Sequence, residues 1–182
     1  MTTQAWNFDT THSSISFSVR HMVFAKVRGQ FRDWKGKVEL DPDNVAAGRA
    51  EVEIEAASID TGVADRDNHL RSPDFFDVET FPKLRFVSTS MEHAGGDRYR
   101  LHGELTIRDA TRPVVLDVEY GGRAKDPWGN TRVAFTASTA VDRTDFGLKW
   151  NQLLEAGGVL VGERIDIQLE LQAVAASDAR AA

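Results

Sequence analysis

Ser14-Ile15-Ser16-Phe17-Ser18-Val19-Arg20 alternates polar and apolar residues without a break. Successive side chains of a strand point to opposite faces, so Ile15, Phe17 and Val19 share one face and the serines the other. The run predicts a half-buried strand. The same period continues outward from it. Val27, Gly29 and Phe31 alternate with Arg28, Gln30 and Arg32, and after Trp34 and Gly36 the pattern resumes at Val38 and Leu40. Val52 and Ile54 stand between Glu51, Glu53 and Glu55. Later runs carry Leu84 and Phe86, then Tyr99, Leu101, Leu105 and Ile107, then Val114, Leu116, Val118 and Tyr120. The last two carry Val133, Phe135 and Val141, and Ile165, Ile167, Leu169 and Leu171.

Turn chemistry separates these runs: Asp41-Pro42-Asp43-Asn44, Ala94-Gly95-Gly96-Asp97, Asp109-Ala110-Thr111-Arg112-Pro113 and Asp126-Pro127-Trp128-Gly129-Asn130. Pro presets its own φ, Gly supplies positive φ, and Asp or Asn closes local side-chain bonds. The expectation is an all-β chain, an extended antiparallel barrel of about eight strands, because closure removes the exposed edges of an open sheet. A two-sheet sandwich shares the alternation, but long strands joined mostly as hairpins favour the barrel.

Two segments break the period. Ser58 to Asp77 is charged and helix-like, and predicts a short helical segment near 63–76, with Val63 and Leu70 on its apolar side and Asp60 or Thr61 as cap. Residues 142–160 hold Arg143-Thr144-Asp145-Phe146-Gly147 and then Gly157-Gly158, and predict a long functional loop. Residues 1–174 are expected to form one domain and 175–182 a flexible tail.

The chain has 182 residues and a net charge of −6, which argues against a nucleic-acid partner. It has no cysteine, so disulfides, thiolate nucleophiles and cysteine zinc sites are excluded. The first residues lack a basic and then apolar leader, and no apolar run reaches the ~20 residues of a membrane helix. A cytoplasmic protein without stable membrane insertion is expected, and the chain is compatible with a homodimer.

Several motifs invite a chemistry that their context withholds. Asp65 and His69 share a helix face but supply only two ligands, and the histidines lack a paired spacing, so no metal is expected. Asp145-Phe146-Gly147 lacks every other part of a kinase, and the glycines at 157–162 precede Glu163 and Arg164 rather than the Lys and Ser/Thr of a phosphate loop. Asp9, His12 and Ser13 alternate across the start of a strand and do not form a triad. A barrel interior is either filled or holds one ligand. Gly29, Gly103 and Ala137 fall on the inward face, where they either leave room along the axis or serve only curvature.

The order and spacing of His12-Ser13 with Ile15, Phe17, Val19 and His21, of Ser58-Ile59-Asp60-Thr61-Gly62, Arg66-Asp67, His69-Leu70, Asp74-Phe75-Phe76-Asp77 and Phe81-Pro82 are similar to those of the YceI-like, polyisoprenoid-binding family. Gly103, Leu105 and Ile107, then Arg143, Asp145 and Gly147, then Val161-Gly162 extend the resemblance across residues 6–171. Glu163 stands where such chains commonly carry Asp. The resemblance implies a lipocalin-like barrel whose pore holds a long isoprenoid, quinone-like lipid or similar amphiphile for carriage or storage, with no cofactor and no catalysis. The ligand-binding residues expected from it and from the inward parity are Phe17, Val19, His21, Phe31, Phe86, Leu101, Gly103, Leu105, Phe135 and Leu169, with Arg143 and Trp150 near the mouth. Arg66 is expected to pair with Asp145. Two other readings stay open: an enzyme acting on an isoprenoid or fatty substrate with His21 or an Asp as acid–base group, and a surface interaction module with a filled barrel.

Overall fold

The computed structural model describes residues 3–155 and 157–176, so most of the expected tail, 177–182, lies outside the described residues. The alternating runs become strands β1 (Gln4–Phe8), β2 (Ser14–His21), β3 (Ala25–Phe31), β4 (Trp34–Asp41), β5 (Asn44–Glu55), β6 (Ile59–Asp60), β7 (Lys83–Gly95), β8 (Arg98–Ile107), β9 (Ala110–Lys125), β10 (Thr131–Asp142) and β11 (Val161–Ala175). One helix, α1 (Ala64–Arg71), interrupts them.

Every pairing between named strands is antiparallel. Eight strands close a ring in the order β1-β4-β5-β7-β8-β9-β10-β11, with β11 returning to β1. The three others continue that wall. β1 bends at a single 3-10 turn over Thr10–His12 and runs on as β2, and both pair with β11. β3 runs through Arg32 and Asp33 into β4, so β2–β3 and β1–β4 form one long bent hairpin. β5 likewise turns through Ala56–Ser58 into β6, which pairs with the end of β3. The bends explain how eleven segments make an eight-strand barrel.

Short turns gather at one end of the barrel and long connections at the other. The first end holds the β4–β5, β7–β8 and β9–β10 turns; the second holds the β2–β3 tip, residues 56–82 with α1, the β8–β9 turn and residues 143–160. The short-turn end is sealed by Trp6, fully buried, packed with Val38, Leu40, Val45, Val133, Ala173 and Ala175. Trp6 Nε1–H donates to the Leu40 carbonyl at 3.2 Å, so the indole fills space without orphaning its polar atom.

The helix that plugs the second end differs from expectation at its start. Val63 is the N-cap and makes no side-chain capping bond. Instead Asp67, buried in the helix, accepts from the backbone N–H of Thr61 (2.9 Å) and from Thr61 Oγ1 (2.6 Å). Arg66 donates to Thr61 Oγ1 at 2.7 Å and to the Thr61 carbonyl at 2.8 Å. Arg66 therefore braces the helix entry and does not pair with Asp145, which is exposed. Val63 also faces outward, leaving Leu70 as the helix residue that reaches the interior.

Candidate functional site

The inward faces of the strands surround a cavity of about 250 Å³. From the short-turn end upward its wall is Leu40 and Met91, then Leu101, Leu116, Val118, Phe135 and Ala137. Beyond these it runs to Phe31, Ile54, Leu84 and Leu169, and at the second end to Val19, Leu70, Phe75, Phe76, Leu148 and Val161. Among the described residues Ser16, Arg49, Thr139 and Arg143 are the polar or charged ones that border it, their polar groups turned away from an apolar lining, and no His, Asp or Glu borders it. Parity produces this surface: a one-residue slip of any strand would turn its apolar set outward.

Nine of the twelve residues singled out in the sequence meet around the cavity: Phe17, Val19, Phe31, Phe86, Leu101, Leu105, Phe135, Arg143 and Leu169. Three do not. His21 ends β2 opposite Val161 and Ala25, half-exposed and outside the lining. Its parity is right, but the strand outruns the cavity. Trp150 stands behind the wall, edge-on to His69 at 4.6 Å between ring centres and 5.5 Å from Phe75. Gly103 is buried but filled over. A Cβ there would collide with the Phe86 ring and stand 2.7 Å from the Val87 carbonyl oxygen.

Gly29 is covered in the same way, because a Cβ would press on the Phe17 ring and stand 2.9 Å from Thr61 Cγ2. The two glycines therefore do not leave room along the axis. Each makes room for an aromatic ring from the neighbouring strand, and those two rings line the cavity. Neither has a positive φ, so the need is for space and not for backbone freedom. Ala137, by contrast, does border the cavity.

Arg143 is the most distinctive polar group of the site. Only 5 % of it is exposed. Nε–H donates to the Gly162 carbonyl at 2.8 Å, Nη1 to those of Leu148 (2.6 Å) and Trp150 (3.0 Å), and Nη2 to that of Val161 (3.3 Å). Guanidinium has five N–H donors, so one on Nη2 is uncommitted among the described residues. No carboxylate forms an ion pair with it among those residues, and its carbon lies 6.0 Å from the centre of the Phe75 ring. Burial pushes its pKa down, with Glu163 and Asp142 partly opposing. The bonds also explain the loop's form, since one side chain ties residues 148–150 to the start of β11.

Around this group the plug is aromatic. His69 Nε2 lies 2.8 Å from Asp74 Oδ2, and the imidazole packs edge-on to Phe75 at 5.1 Å between ring centres. His69 therefore pairs with Asp74 rather than with Asp65. Among the described residues no group of three or more His, Asp or Glu side chains converges as a metal would require.

The model of the YceI-like domain matches residues 6–173, nearly the whole barrel. The chain belongs to the YceI-like family. Among its relatives, a UPF0312 protein of Photorhabdus laumondii is 39% identical over 138 residues, covering 76% of this chain and 71% of that protein. The crystal structure of Burkholderia cenocepacia BcnA superposes with a TM-score of 0.78 at 25% identity, over 91% of this chain and 98% of that one. A polyisoprenoid binding domain from Saccharophagus degradans, implicated in plant cell wall breakdown, superposes with a TM-score of 0.72 over 94% of this chain and 99% of that one. At 12% identity the last comparison shows a shared fold. The all-β barrel is thus a YceI-like barrel, and no helix among the described residues is long and apolar enough to cross a membrane.

Proposed function

We propose that this YceI-like barrel binds one extended apolar chain, an isoprenoid or similar linear lipid, in its cavity and carries or stores it without chemical change. The observation that carries the reading is the lining: a space of about 250 Å³ running along the barrel between apolar side chains. The volume lies just below the ~300–1,000 Å³ usual for drug-sized ligands, which suits a thin chain better than a bulky ring system. Affinity would come from apolar area removed from water, at roughly 25 cal/mol per Å². The name of the Saccharophagus degradans domain points to the isoprenoid class. The uncommitted N–H of Arg143 would donate to a carbonyl or phosphate oxygen of a head group, where an anion would also offset a buried cation. Among the described residues no His, Asp or Glu borders the cavity, which favours carriage over turnover.

Native mass spectrometry of the purified protein, before and after mixing with a prenyl quinone, tests this. A stoichiometric lipid adduct, recovered chemically unchanged, is the expected result. Failure of the folded protein to take up any prenyl or acyl lipid would overturn it, and conversion of the lipid would favour the enzyme.

A further inference from the structure

The tip of the β2–β3 hairpin spends its turn on the wrong residues for a turn. His21 pairs with Ala25, leaving Met22, Val23 and Phe24 as the three-residue connection. Met22 and Val23 both have positive φ, 53° and 68°. At the β7–β8 and β9–β10 turns the same chain places glycine where φ is positive, at Gly95, Gly96 and Gly129. A β-branched residue adopts that region only against steric resistance. The side chains are not buried in return: Phe24 is 94% exposed, Val23 59% and Met22 46%.

A second segment extends the patch. The Met22 N–H donates to the Leu160 carbonyl at 2.9 Å, and a Cβ at Gly158 would stand 3.8 Å from Val23 Cγ2. Leu153 and Val159, bridged to each other across this loop, are 83% and 38% exposed. Five large apolar side chains thus stand in water at one end of the barrel.

The charge around them is equally uneven. The chain carries −6 overall, yet residues 10–32 contain Arg20, Lys26, Arg28 and Arg32 and no Asp or Glu. Arg32 is paired with Asp60. Arg20, Lys26 and Arg28 are exposed and form no ion pair among the described residues. Over the two segments that form the patch, residues 20–28 and 149–166, Arg20, Lys26, Arg28, Lys149 and Arg164 stand against Glu155, Glu163 and Asp166, while the acidic residues Asp65, Asp74 and Asp145 lie in the plug at the same end. A narrow apolar tip collared by unpaired cations matches the boundary between anionic head groups and acyl chains, where apolar and basic groups act together.

We infer that Met22-Val23-Phe24, with Leu153 and Val159, docks this protein on the surface of an anionic lipid bilayer, with Arg20, Lys26 and Arg28 on the head-group phosphates. A protein partner is less well matched, because the patch is a projecting tip and not a groove or flat face. The cavity wall reaches Val19 and Val161, and Val161 is the residue opposite His21. Docking would therefore hold the plugged end of the cavity against the bilayer. If the cavity carries a lipid, that ligand would enter and leave with little passage through water; this consequence rests on the proposed function, whereas docking does not.

Co-sedimentation of the full chain with vesicles of phosphatidylcholine and phosphatidylglycerol tests the inference, against phosphatidylcholine alone. The protein should sediment with the anionic vesicles and much less with the neutral ones, and added salt should weaken the binding. Removing each cation should cost roughly fivefold in partitioning, so Arg20→Gln, Lys26→Gln and Arg28→Gln together should cost roughly a hundredfold. Phe24→Asp should abolish sedimentation with an unchanged thermal midpoint. Leu153→Asp, on a separate segment, should weaken it independently of hairpin folding. Wild-type protein that fails to sediment with anionic vesicles, or a folded Phe24→Asp protein that sediments like wild type, would overturn docking. So would a wild-type dimer in light scattering that Phe24→Asp converts to monomer, since a second copy would then be what covers the tip.

Discussion

The two ends of the barrel are built from different chemistry. At the short-turn end, the turns are Gly- and Asp-rich, Trp6 closes the floor, and ions tie the outer wall together: Arg132 reaches Asp9 at 2.7 Å and Asp126 at 2.9 Å. At the other end the connections are long, the closure is an aromatic plug around His69, Phe75 and Trp150, and the hairpin tip leaves large apolar groups in water. One end is satisfied within the chain. The other leaves an Arg143 N–H without a partner among the described residues and Phe24 exposed. If the barrel carries a lipid as proposed, this asymmetry suits it, since an end that opens must be less committed than the end that holds.

The largest expected effect is at the sealed end. Trp6→Ala removes a fully buried indole and the bond it donates to the Leu40 carbonyl, so the cavity, the lost contacts and that bond together should cost at least about 3–5 kcal/mol. Trp150→Ala, at the plug, should cost clearly less, because its ring is only half-buried. Urea unfolding of the two variants measures the contrast. Equal losses would show that the plug is as much a part of the cooperative core as the floor.

The next comparison separates filled from empty space on the inward face. Gly103→Ala should destabilise by about 1–3 kcal/mol, because the added methyl meets the Phe86 ring and the Val87 carbonyl. Ala137→Leu adds bulk beside the cavity, and should change stability by less than about 1 kcal/mol while sharply reducing lipid uptake. Thermal melts paired with lipid binding read both. A reversal, with Gly103→Ala silent and Ala137→Leu unfolding the protein, would mean that the free space lies beside Gly103.

Much of this was legible in the residues. Ile15, Phe17 and Val19 declared their face by alternation alone, and Asp126-Pro127-Trp128-Gly129-Asn130 declared its turn by chemistry that depends on four or five neighbours. What depended on distant partners was not legible. Gly103 reads as a gap until the register sets Phe86 diagonally across from it, since Phe86 pairs with Leu105. Arg66 next to acidic residues suggests an ion pair, yet it binds the Thr61 carbonyl and hydroxyl only because Asp67 holds that turn. The bend between β1 and β2 hides in Thr10-Thr11-His12, where Asp9 caps the turn through the Thr11 N–H at 3.1 Å. The apolar tip at Met22-Val23-Phe24 extends the alternating run without any turn signal, so its exposure is visible only once the hairpin closes.

The smallest effect concerns the ionic tie of the sealed end and how it responds to acid. Burial opposes ionisation of Asp126, but donors from Asn130, Arg132 and the Trp128 backbone outweigh it and lower its pKa from 3.8 to about 2. Asp9 is likewise opposed by burial and held well below the usual carboxylate range by Thr11, Arg132 and His12. A carboxylate with a depressed folded pKa contributes stability that is complete above its unfolded value and disappears as pH falls through the folded one. Stability should therefore begin to fall near pH 4 and continue falling toward pH 2. Arg132→Met removes the shared cation, so the variant should be less stable at neutral pH and should lose less on acidification over that interval. Denaturant midpoints at stepped pH values measure this. An unchanged slope in Arg132→Met would assign the acid sensitivity to other carboxylates, such as Asp60, Glu51 and Glu53, whose pKa values are also lowered by their partners Arg32, Arg85 and Lys83. The tie at the sealed end would then be ornamental to stability, and the contrast between the two ends would rest on Trp6 and the plug alone.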